Sequence, residues 1–129
     1  MEHHSNLLPW TQLAERKGAN LIWWEVTDEG ELDLDQLPEI LAAQPKLVAL
    51  TWVSNVLGTI NPVETLIPQL KEHGATVVLD GAQGVPHLPT DVKKLGADFL
   101  AFSAHKMMGP TGIGVLWGKR ELLEAMPPC

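Results

Sequence analysis

The sequence predicts an α/β fold, in which helices cover a central sheet. Two observations support this prediction. Segments with helical periodicity alternate with short, unbroken apolar runs through the first two-thirds of the chain, which is the pattern of a helix-covered sheet. Hydrophobic residues make up 45% and charged residues 19% of the 129 residues, a balance typical of a globular protein with a packed core.

The spacing of apolar residues predicts helices over residues 7–14, 34–41, 61–74 and 119–126. Gly18 follows the first helix and supplies a stop, because glycine readily adopts the left-handed conformation that ends helices. Asp33 precedes the second helix and can cap it with its carboxylate. Pro68 lies within the third helix, which we therefore expect to kink or to start late.

Runs rich in strand-forming residues predict strands over residues 20–26, 46–53, 76–83, 98–102 and 112–118. Polar residues end or follow three of these runs, as Ser54-Asn55, Asp80-Gly-Ala-Gln83 and Ser103-Ala-His105-Lys106. In open α/β sheets, ligands bind outside the carboxyl ends of the strands. We therefore expect one crevice there to collect five polar residues: Asp80, Gln83, Ser103, His105 and Lys106.

Charge and cysteine content argue against several classes of function. The formal net charge is −7 and no basic stripe is present, which disfavours a nucleic-acid or anionic-membrane partner. No apolar run approaches the roughly 20 residues of a membrane span, and the first residues lack the pattern of a secretion signal. The single cysteine, Cys129, excludes an internal disulfide framework, and no histidine or cysteine spacing fits a zinc site. We expect a cytoplasmic protein without a metal.

Asp80 and Lys106 need a chemical explanation, because each follows an apolar strand. A carboxylate is costly there unless strong donors or a cation meet it, so Asp80 is either a structural cap or the partner of a protonated ring nitrogen. Lys106 either extends to water or, when desolvated, acts as a nucleophile toward a carbonyl. With neutral donors at Asn55 and Gln83 and a hydroxyl at Ser103, the set is typical of a pyridoxal 5′-phosphate (PLP) site.

Four motifs resemble those of one enzyme family. "DGAQGVPH" (80–87) and "ADFLAFSAHKMMGPTGIGVLWGK" (97–119) are similar to the cofactor-binding core of cysteine desulfurases, in the class V aminotransferase group of fold-type I PLP enzymes. "MEHHSNLLPW" (1–10) and "VSNVLGTINP" (53–62) follow the family order, and EHHSN is most similar to the sulfur-mobilisation (SufS-like) branch. The resemblance implies that residues 1–129 are a central part of the large PLP-binding domain, without its N-terminal segment and the C-terminal small domain. It also implies a mixed, mostly parallel sheet flanked by helices.

The resemblance implies two catalytic residues. Lys106 would bind PLP as a Schiff base and move the α-proton, and His3 would stack on the ring and assist proton transfer. The implied reaction converts L-cysteine to L-alanine and transfers the sulfur to an enzyme cysteine outside this chain, for iron–sulfur cluster assembly. A homodimeric parent and a sulfur-acceptor protein are the implied partners.

Five further residues are implied to contact the cofactor. Asp80 would keep the ring nitrogen protonated, and Gln83 would hydrogen-bond the phenolic oxygen. Ser103 and His105 would hold the phosphate, while Asn55 would face the substrate or the ring edge.

The chain departs from the family pattern at several positions. Trp52 stands where relatives usually carry His, Gly84 where Ala or Ser is common, and Ala104 where Gly or Ser is frequent. Cys129 stands where relatives carry an aromatic residue, so we do not expect it to be the persulfide-forming cysteine. The alternatives are a selenocysteine lyase or another class V enzyme, and a truncated, non-catalytic remnant. We expect the isolated 129 residues to be inactive and to aggregate or need the rest of the parent chain.

Overall fold

The computed structural model describes residues 1–127, so Cys129 lies outside the described residues. The sheet has four strands in the order β1-β2-β3-β4, namely β1 Leu47–Thr51, β2 Thr76–Asp80, β3 Phe99–Ser103 and β4 Gly114–Gly118. Strands β1, β2 and β3 are parallel, and β4 runs antiparallel to β3. The predicted mixed, mostly parallel sheet is therefore confirmed.

The α-helices are α1 Leu8–Lys17, α2 Leu37–Ala42, α3 Val63–Glu72, α4 Gly84–His87, α5 Val92–Leu95 and α6 Arg120–Ala125. Short 3₁₀ turns cover His4–Asn6, Leu34–Gln36 and Ala104–Met107. Gly18 ends α1 with a φ of 62°, as the sequence predicts. The Asp33 carboxylate accepts the Asp35 N–H (3.0 Å), but it thereby caps the 3₁₀ turn Leu34–Gln36 that precedes α2, and α2 itself has no side-chain cap. Helix α3 runs through Pro68 and begins at Val63, so the late start considered for it does not occur.

Helix α3 and strand β2 form the centre of the core. Leu66, Ile67 and Leu70 of α3 and Val77 and Leu79 of β2 are each at most 2% exposed. The helical residues follow the period of an α-helix and the strand residues alternate, so each element presents one apolar face to the other. Helix α3 packs against β2, and this packing fixes where the carboxyl ends of the strands lie.

Residues 20–26, predicted to form a strand, are not part of the described sheet. Only Val26 pairs, in an isolated antiparallel bridge with Leu32, and Trp23 is 53% exposed. A strand persists only where a neighbouring backbone completes its hydrogen bonds, and within residues 1–127 no strand does so here. The prediction, made from strand propensity alone, was therefore wrong for this segment.

Two further features are absent from residues 1–127. No group of three or more histidine, cysteine, aspartate or glutamate side chains in this range could hold a metal ion. No helix in the same range is both long and apolar enough to cross a membrane.

Asp98 forms a buried ion-pair cluster at the amino end of β3. Its carboxylate, 4% exposed, accepts hydrogen bonds from the ammonium groups of Lys71 and Lys119 and from the N–H of Val77 (2.9 Å). Burial alone would raise the pKa of Asp98, but these donors outweigh it and lower the pKa below its ordinary value of 3.8. The ionised carboxylate therefore stabilises the fold.

Asp98→Asn should destabilise the full-length protein by about 3 kcal/mol at neutral pH, because it leaves two ammonium groups without a counter-charge. The figure is at the low end for a buried pair, since the two lysine side chains are 32% and 28% exposed. The contribution is fully present above pH 3.8 and is lost as the pH falls from there through the lower pKa of the folded protein. Urea unfolding of both proteins across this range measures it. A difference in unfolding free energy that stays constant with pH would contradict the prediction.

Candidate active site

A small recess lies at the carboxyl ends of β1, β2 and β3, where ligands bind in sheets of this kind. Its lining residues are His3, Thr51, Val53, Asn55, Asp80, Ala82, Gln83 and Lys106. The strand register explains this grouping, because Thr51 lies opposite Asp80 and Asp80 lies opposite Ala101. Five of the seven predicted site residues line the recess.

Lys106 lies on the 3₁₀ turn Ala104–Met107 that follows β3, and it is half-buried. Met108 then adopts a left-handed conformation with a φ of 58°, which reverses the chain toward β4. A Cβ at Gly109 would lie 2.9 Å from the carbonyl oxygen of Ala104, so only glycine fits this reversal. This tight turn thus sets the direction of the backbone around Lys106.

Asp80 is the last residue of β2 and is half-buried. One carboxylate oxygen, Oδ1, accepts the N–H of Ala82 at 2.9 Å, which fixes the side chain at the strand end. Within the part of the chain that the structure describes, no lysine, arginine or histidine forms an ion pair with Asp80. Its second oxygen, Oδ2, is therefore left to meet a donor in the recess.

The imidazole of His3 has one ring nitrogen engaged within its own loop. Its Nδ1 accepts the backbone N–H of Ser5 at 3.2 Å and lies 2.7 Å from the Ser5 hydroxyl oxygen. In the neutral ring the proton therefore resides on Nε2. The same hydrogen bond from the Ser5 N–H caps the 3₁₀ turn His4–Asn6, so a backbone contact orients the side chain of His3.

Asn55 and Gln83 bring neutral amides to the recess. Asn55 follows Ser54, whose hydroxyl accepts the N–H groups of Val56 (3.4 Å) and Leu57 (3.1 Å) and so shapes the turn after β1. Gln83 immediately precedes α4, and its carbonyl oxygen lies 2.7 Å from Nδ1 of His87. Local hydrogen bonds therefore hold the residues on either side of Asn55 and the carbonyl group of Gln83.

Ser103 and His105 do not line the recess. Ser103 ends β3, half-buried, opposite Gly114 of β4, and His105 is exposed on the following turn. Of the five polar residues expected to share a crevice, the recess thus contains three. A phosphate-binding role for Ser103 and His105 stays a prediction.

Two residues of this region were missed by sequence reasoning. Thr51 lines the recess although it ends an apolar run, and Glu2, beside His3, accepts a hydrogen bond from the Thr51 N–H at 2.7 Å. The position of Thr51 at the end of a predicted strand was the available signal. No sequence pattern shows that Glu2 reaches a strand 49 residues away.

Trp52 and Gly84, two departures from the family pattern, are in contact. Trp52 is 5% exposed, and a Cβ at Gly84 would lie 2.4 Å from its Cε3 and 2.6 Å from its Cδ2. The indole therefore occupies the space that a side chain at position 84 would need, so Trp52 requires a glycine there. Because Gly84 follows Gln83, the same contact fixes the chain beside the recess.

Gly84→Ala should lower the melting temperature of the full-length protein, since overpacking a filled core costs about 1–3 kcal/mol. Trp52→Leu alone should also destabilise, because it leaves a cavity. The double variant should lose less than the two single losses together, since leucine leaves room for the new Cβ. Thermal unfolding of the four proteins measures this coupling, and strictly additive losses would show that the two residues do not interact.

The comparison with protein families decides the classification. The protein-family model described as "Aminotransferase class-V" matches residues 1–129. The chain belongs to the aminotransferase class-V family. Members of this family and the cysteine desulfurases similar to this chain are PLP-dependent enzymes.

Several cysteine desulfurases are similar to this class-V chain. The probable cysteine desulfurase of Streptomyces coelicolor is 55% identical over 128 residues, which cover 99% of this chain and 31% of the relative. The crystal structure of the cysteine desulfurase CsdA from Escherichia coli is 46% identical with a TM-score of 0.93, over 98% of this chain and 32% of that one. The apo structure of the Thermococcus onnurineus cysteine desulfurase is 51% identical with a TM-score of 0.89, over 95% of this chain and 31% of that one.

These likenesses confirm the predicted fold class, that of fold-type I PLP enzymes. The chain spans about a third of the length of the curated relatives it matches. These comparisons do not single out the SufS-like branch, because the curated relatives share the name cysteine desulfurase, which specifies no branch.

The donor set of the recess fits PLP. The recess offers one amine (Lys106), one carboxylate with an open oxygen (Asp80), an amide (Gln83) and an imidazole (His3). These side chains can bind, in the same order, an aldehyde, a pyridine nitrogen, a phenolic oxygen and the face of an aromatic ring. PLP carries all four groups.

Proposed function

We propose that the chain is the cofactor-binding core of a cysteine desulfurase. The enzyme takes sulfur from L-cysteine, releases L-alanine and passes the sulfur to a cysteine outside residues 1–129. The observation that carries this proposal is the meeting of Lys106 and Asp80 in one recess, since a lysine nucleophile and a carboxylate for a ring nitrogen are the pair that PLP chemistry requires. Similarity to proteins named cysteine desulfurase supports the choice of substrate.

The proposed roles follow from the placement of each side chain. When bound, PLP supplies an electron sink for the charge that develops at the substrate Cα. Lys106 would hold the group covalently through Nζ, and once the amine of the substrate has displaced it, the freed Nζ would take and return the proton at Cα. Asp80 keeps a proton on the ring nitrogen through its open Oδ2, and Gln83 donates to the phenolic oxygen. His3 packs on the ring and exchanges a proton through Nε2.

Three remaining residues complete the proposed contacts. Asn55, which lines the recess, binds the substrate or the ring edge. Ser103, which precedes the turn carrying Lys106, and His105, which lies on that turn, bind the phosphate in the loaded enzyme.

The proposal extends to the setting of the enzyme. We place residues 1–129 in the large PLP-binding domain of a cytoplasmic homodimer of the SufS-like branch. Its sulfur goes to an acceptor protein and then to iron–sulfur clusters. The EHHSN motif supports the branch, and the acidic net charge of −7 gives no basis for a nucleic-acid partner.

The test is an assay of the full-length protein loaded with PLP. With L-cysteine and a reductant, we expect equal amounts of L-alanine and sulfide. L-Selenocysteine is assayed in parallel, because a selenocysteine lyase shares this core. Release of L-alanine from selenocysteine but not from cysteine would replace the proposed function by that alternative. Binding of no PLP at all would favour the non-catalytic remnant.

A further inference from the structure

Glu2 is a half-buried carboxylate next to His3, and the proposed chemistry does not use it. Both of its oxygens accept short hydrogen bonds. Oε1 accepts the backbone N–H of Thr51 at 2.7 Å, and Oε2 accepts the side-chain amide of Asn6 at 2.7 Å. One side chain thus joins the segment that carries His3 to the end of strand β1.

The direction of these hydrogen bonds cannot reverse. The indole Nε1–H of Trp10 is only a donor, and it donates to Oδ1 of Asn6 at 3.0 Å. The amide NH₂ of Asn6 must therefore face Glu2. The backbone N–H of Thr51 is likewise only a donor. Position 2 must accept at both of its terminal atoms, which an ionised carboxylate does and a glutamine does not.

Thr51 depends on side chains because β1 pairs with β2 on one side only among residues 1–127. On its other side, the Thr51 N–H donates to Glu2 and its carbonyl oxygen accepts Nδ2 of Asn61 at 2.8 Å. Thr51 is 4% exposed and lines the recess. Without the carboxylate, a buried N–H at the edge of the recess would have no partner, which is costly.

Burial raises the pKa of the Glu2 carboxyl above its ordinary value of 4.5, against the opposing effect of the hydrogen bonds from Thr51 and Asn6. Asp80 repels the charge further. Burial and the charge of Asp80 thus both disfavour an ionised side chain at position 2. The two hydrogen bonds that the carboxylate accepts, from Thr51 and Asn6, offset this cost.

We propose that Glu2 is a positioning residue, whose carboxylate fixes the His3 segment against the end of β1 so that His3 faces the recess lined by Lys106 and Asp80. The inference rests on the proposed function for what His3 contacts there, namely PLP. The tether itself rests only on the hydrogen bonds of this chain.

The first experiment measures hydrogen exchange in the cofactor-free, full-length protein by mass spectrometry. Glu2→Gln should make the peptide containing Thr51 exchange about tenfold faster, because the amide of the new side chain opposes the Asn6 donor. Glu15→Gln, the same change at an exposed position of α1, is the matched control and should change nothing. Unchanged exchange in Glu2→Gln would overturn the proposal.

A rescue variant tests the direction of the network. In Glu2→Gln/Trp10→Phe the indole donor is gone, so the Asn6 amide can turn and accept from the new glutamine. Exchange at Thr51 should return toward the wild-type rate. If Trp10→Phe instead adds to the loss, the directional argument fails. If Glu2→Gln alone does not fold, exchange at Thr51 in the double variant can still be compared with exchange in the wild type and in Trp10→Phe.

The second experiment asks whether Glu2 acts through His3. Glu2→Gln should lower kcat for L-cysteine by up to about 10²-fold with little change in KM, as expected for misplacement of a catalytic group. In a His3→Ala background the same substitution should cost nothing further. An equal loss in both backgrounds would show that Glu2 does not act through His3.

A readout without substrate separates this proposal from the proposed function. If the loaded protein does not act on L-cysteine, the absorbance band of bound PLP replaces kcat in the same comparison. Glu2→Gln should shift that band as His3→Ala does, and a band that only His3→Ala shifts would overturn the positioning role. Failure of the assay with L-cysteine, with exchange and spectra as expected, would count against the proposed function alone.

Discussion

Lys106→Ala in the full-length protein should abolish the visible absorbance of covalently bound PLP. It should also lower kcat by about 10²–10⁴-fold or more, because a positioned acid–base group contributes that much. The structure gives the reason. Among residues 1–127, Lys106 is the lysine that lines the recess. Lys71 and Lys119 are bound to Asp98 at the amino end of β3, whereas the recess lies at the carboxyl ends of the strands. Among residues 1–127, no other residue with an amine lines the recess.

The measurement is an absorbance spectrum before and after borohydride reduction, followed by the assay with L-cysteine. Lys17→Ala is the matched control, because Lys17 is exposed at the end of α1, away from the recess. It should keep both the spectrum and the rate. A reducible cofactor adduct that survives in Lys106→Ala would show that another amine binds the aldehyde.

Much of the fold could be predicted because its signals are local. Strands β1 to β4 are apolar runs, and the helices α1, α3 and α6 follow from apolar spacing within ten residues or fewer. The meeting of Asp80 and Lys106 was also predictable, since Asp80 ends one strand and Lys106 closely follows the parallel strand beside it. The position of a polar residue at the end of a predicted strand was thus enough to predict Asp80 and Lys106 as site residues.

The rest depends on contacts between distant parts of the chain. Residues 20–26 have strand propensity, but a strand forms only with a partner, and propensity does not show whether one exists. The fit of Trp52 to Gly84 appears only when β1 and α4 are adjacent in space. The hydrogen bond from Thr51 to Glu2 links residues 49 positions apart. Helices α4 and α5 have four residues each, too few for a periodic pattern.

Asp80→Asn should leave PLP bound but slow turnover strongly, and this comparison isolates what a charge contributes at the end of β2. Asparagine has nearly the same shape as aspartate, so its side-chain oxygen can still accept the Ala82 N–H that holds Asp80 at 2.9 Å. Lys106 remains available for covalent binding. The neutral amide, however, cannot keep a proton on the ring nitrogen. We expect kcat to fall by about 10²–10³-fold, the usual cost of losing one electrostatic partner of a developing charge.

Asp80→Asn changes the charge of the side chain and leaves its size nearly the same. The control variants therefore change or restore charge at positions 28 and 80. Asp28→Asn makes the same change at an exposed position in the turn before Gly30 and should have no effect on spectrum or rate. Asp80→Glu restores the charge with a longer side chain and should recover part of the lost rate. Because Asp80 has no cation partner within residues 1–127, its substitution should not destabilise the protein as we expect the substitution of Asp98 to do. A rate for Asp80→Asn equal to that of the wild type, with PLP fully bound, would mean that the ring nitrogen finds its proton elsewhere.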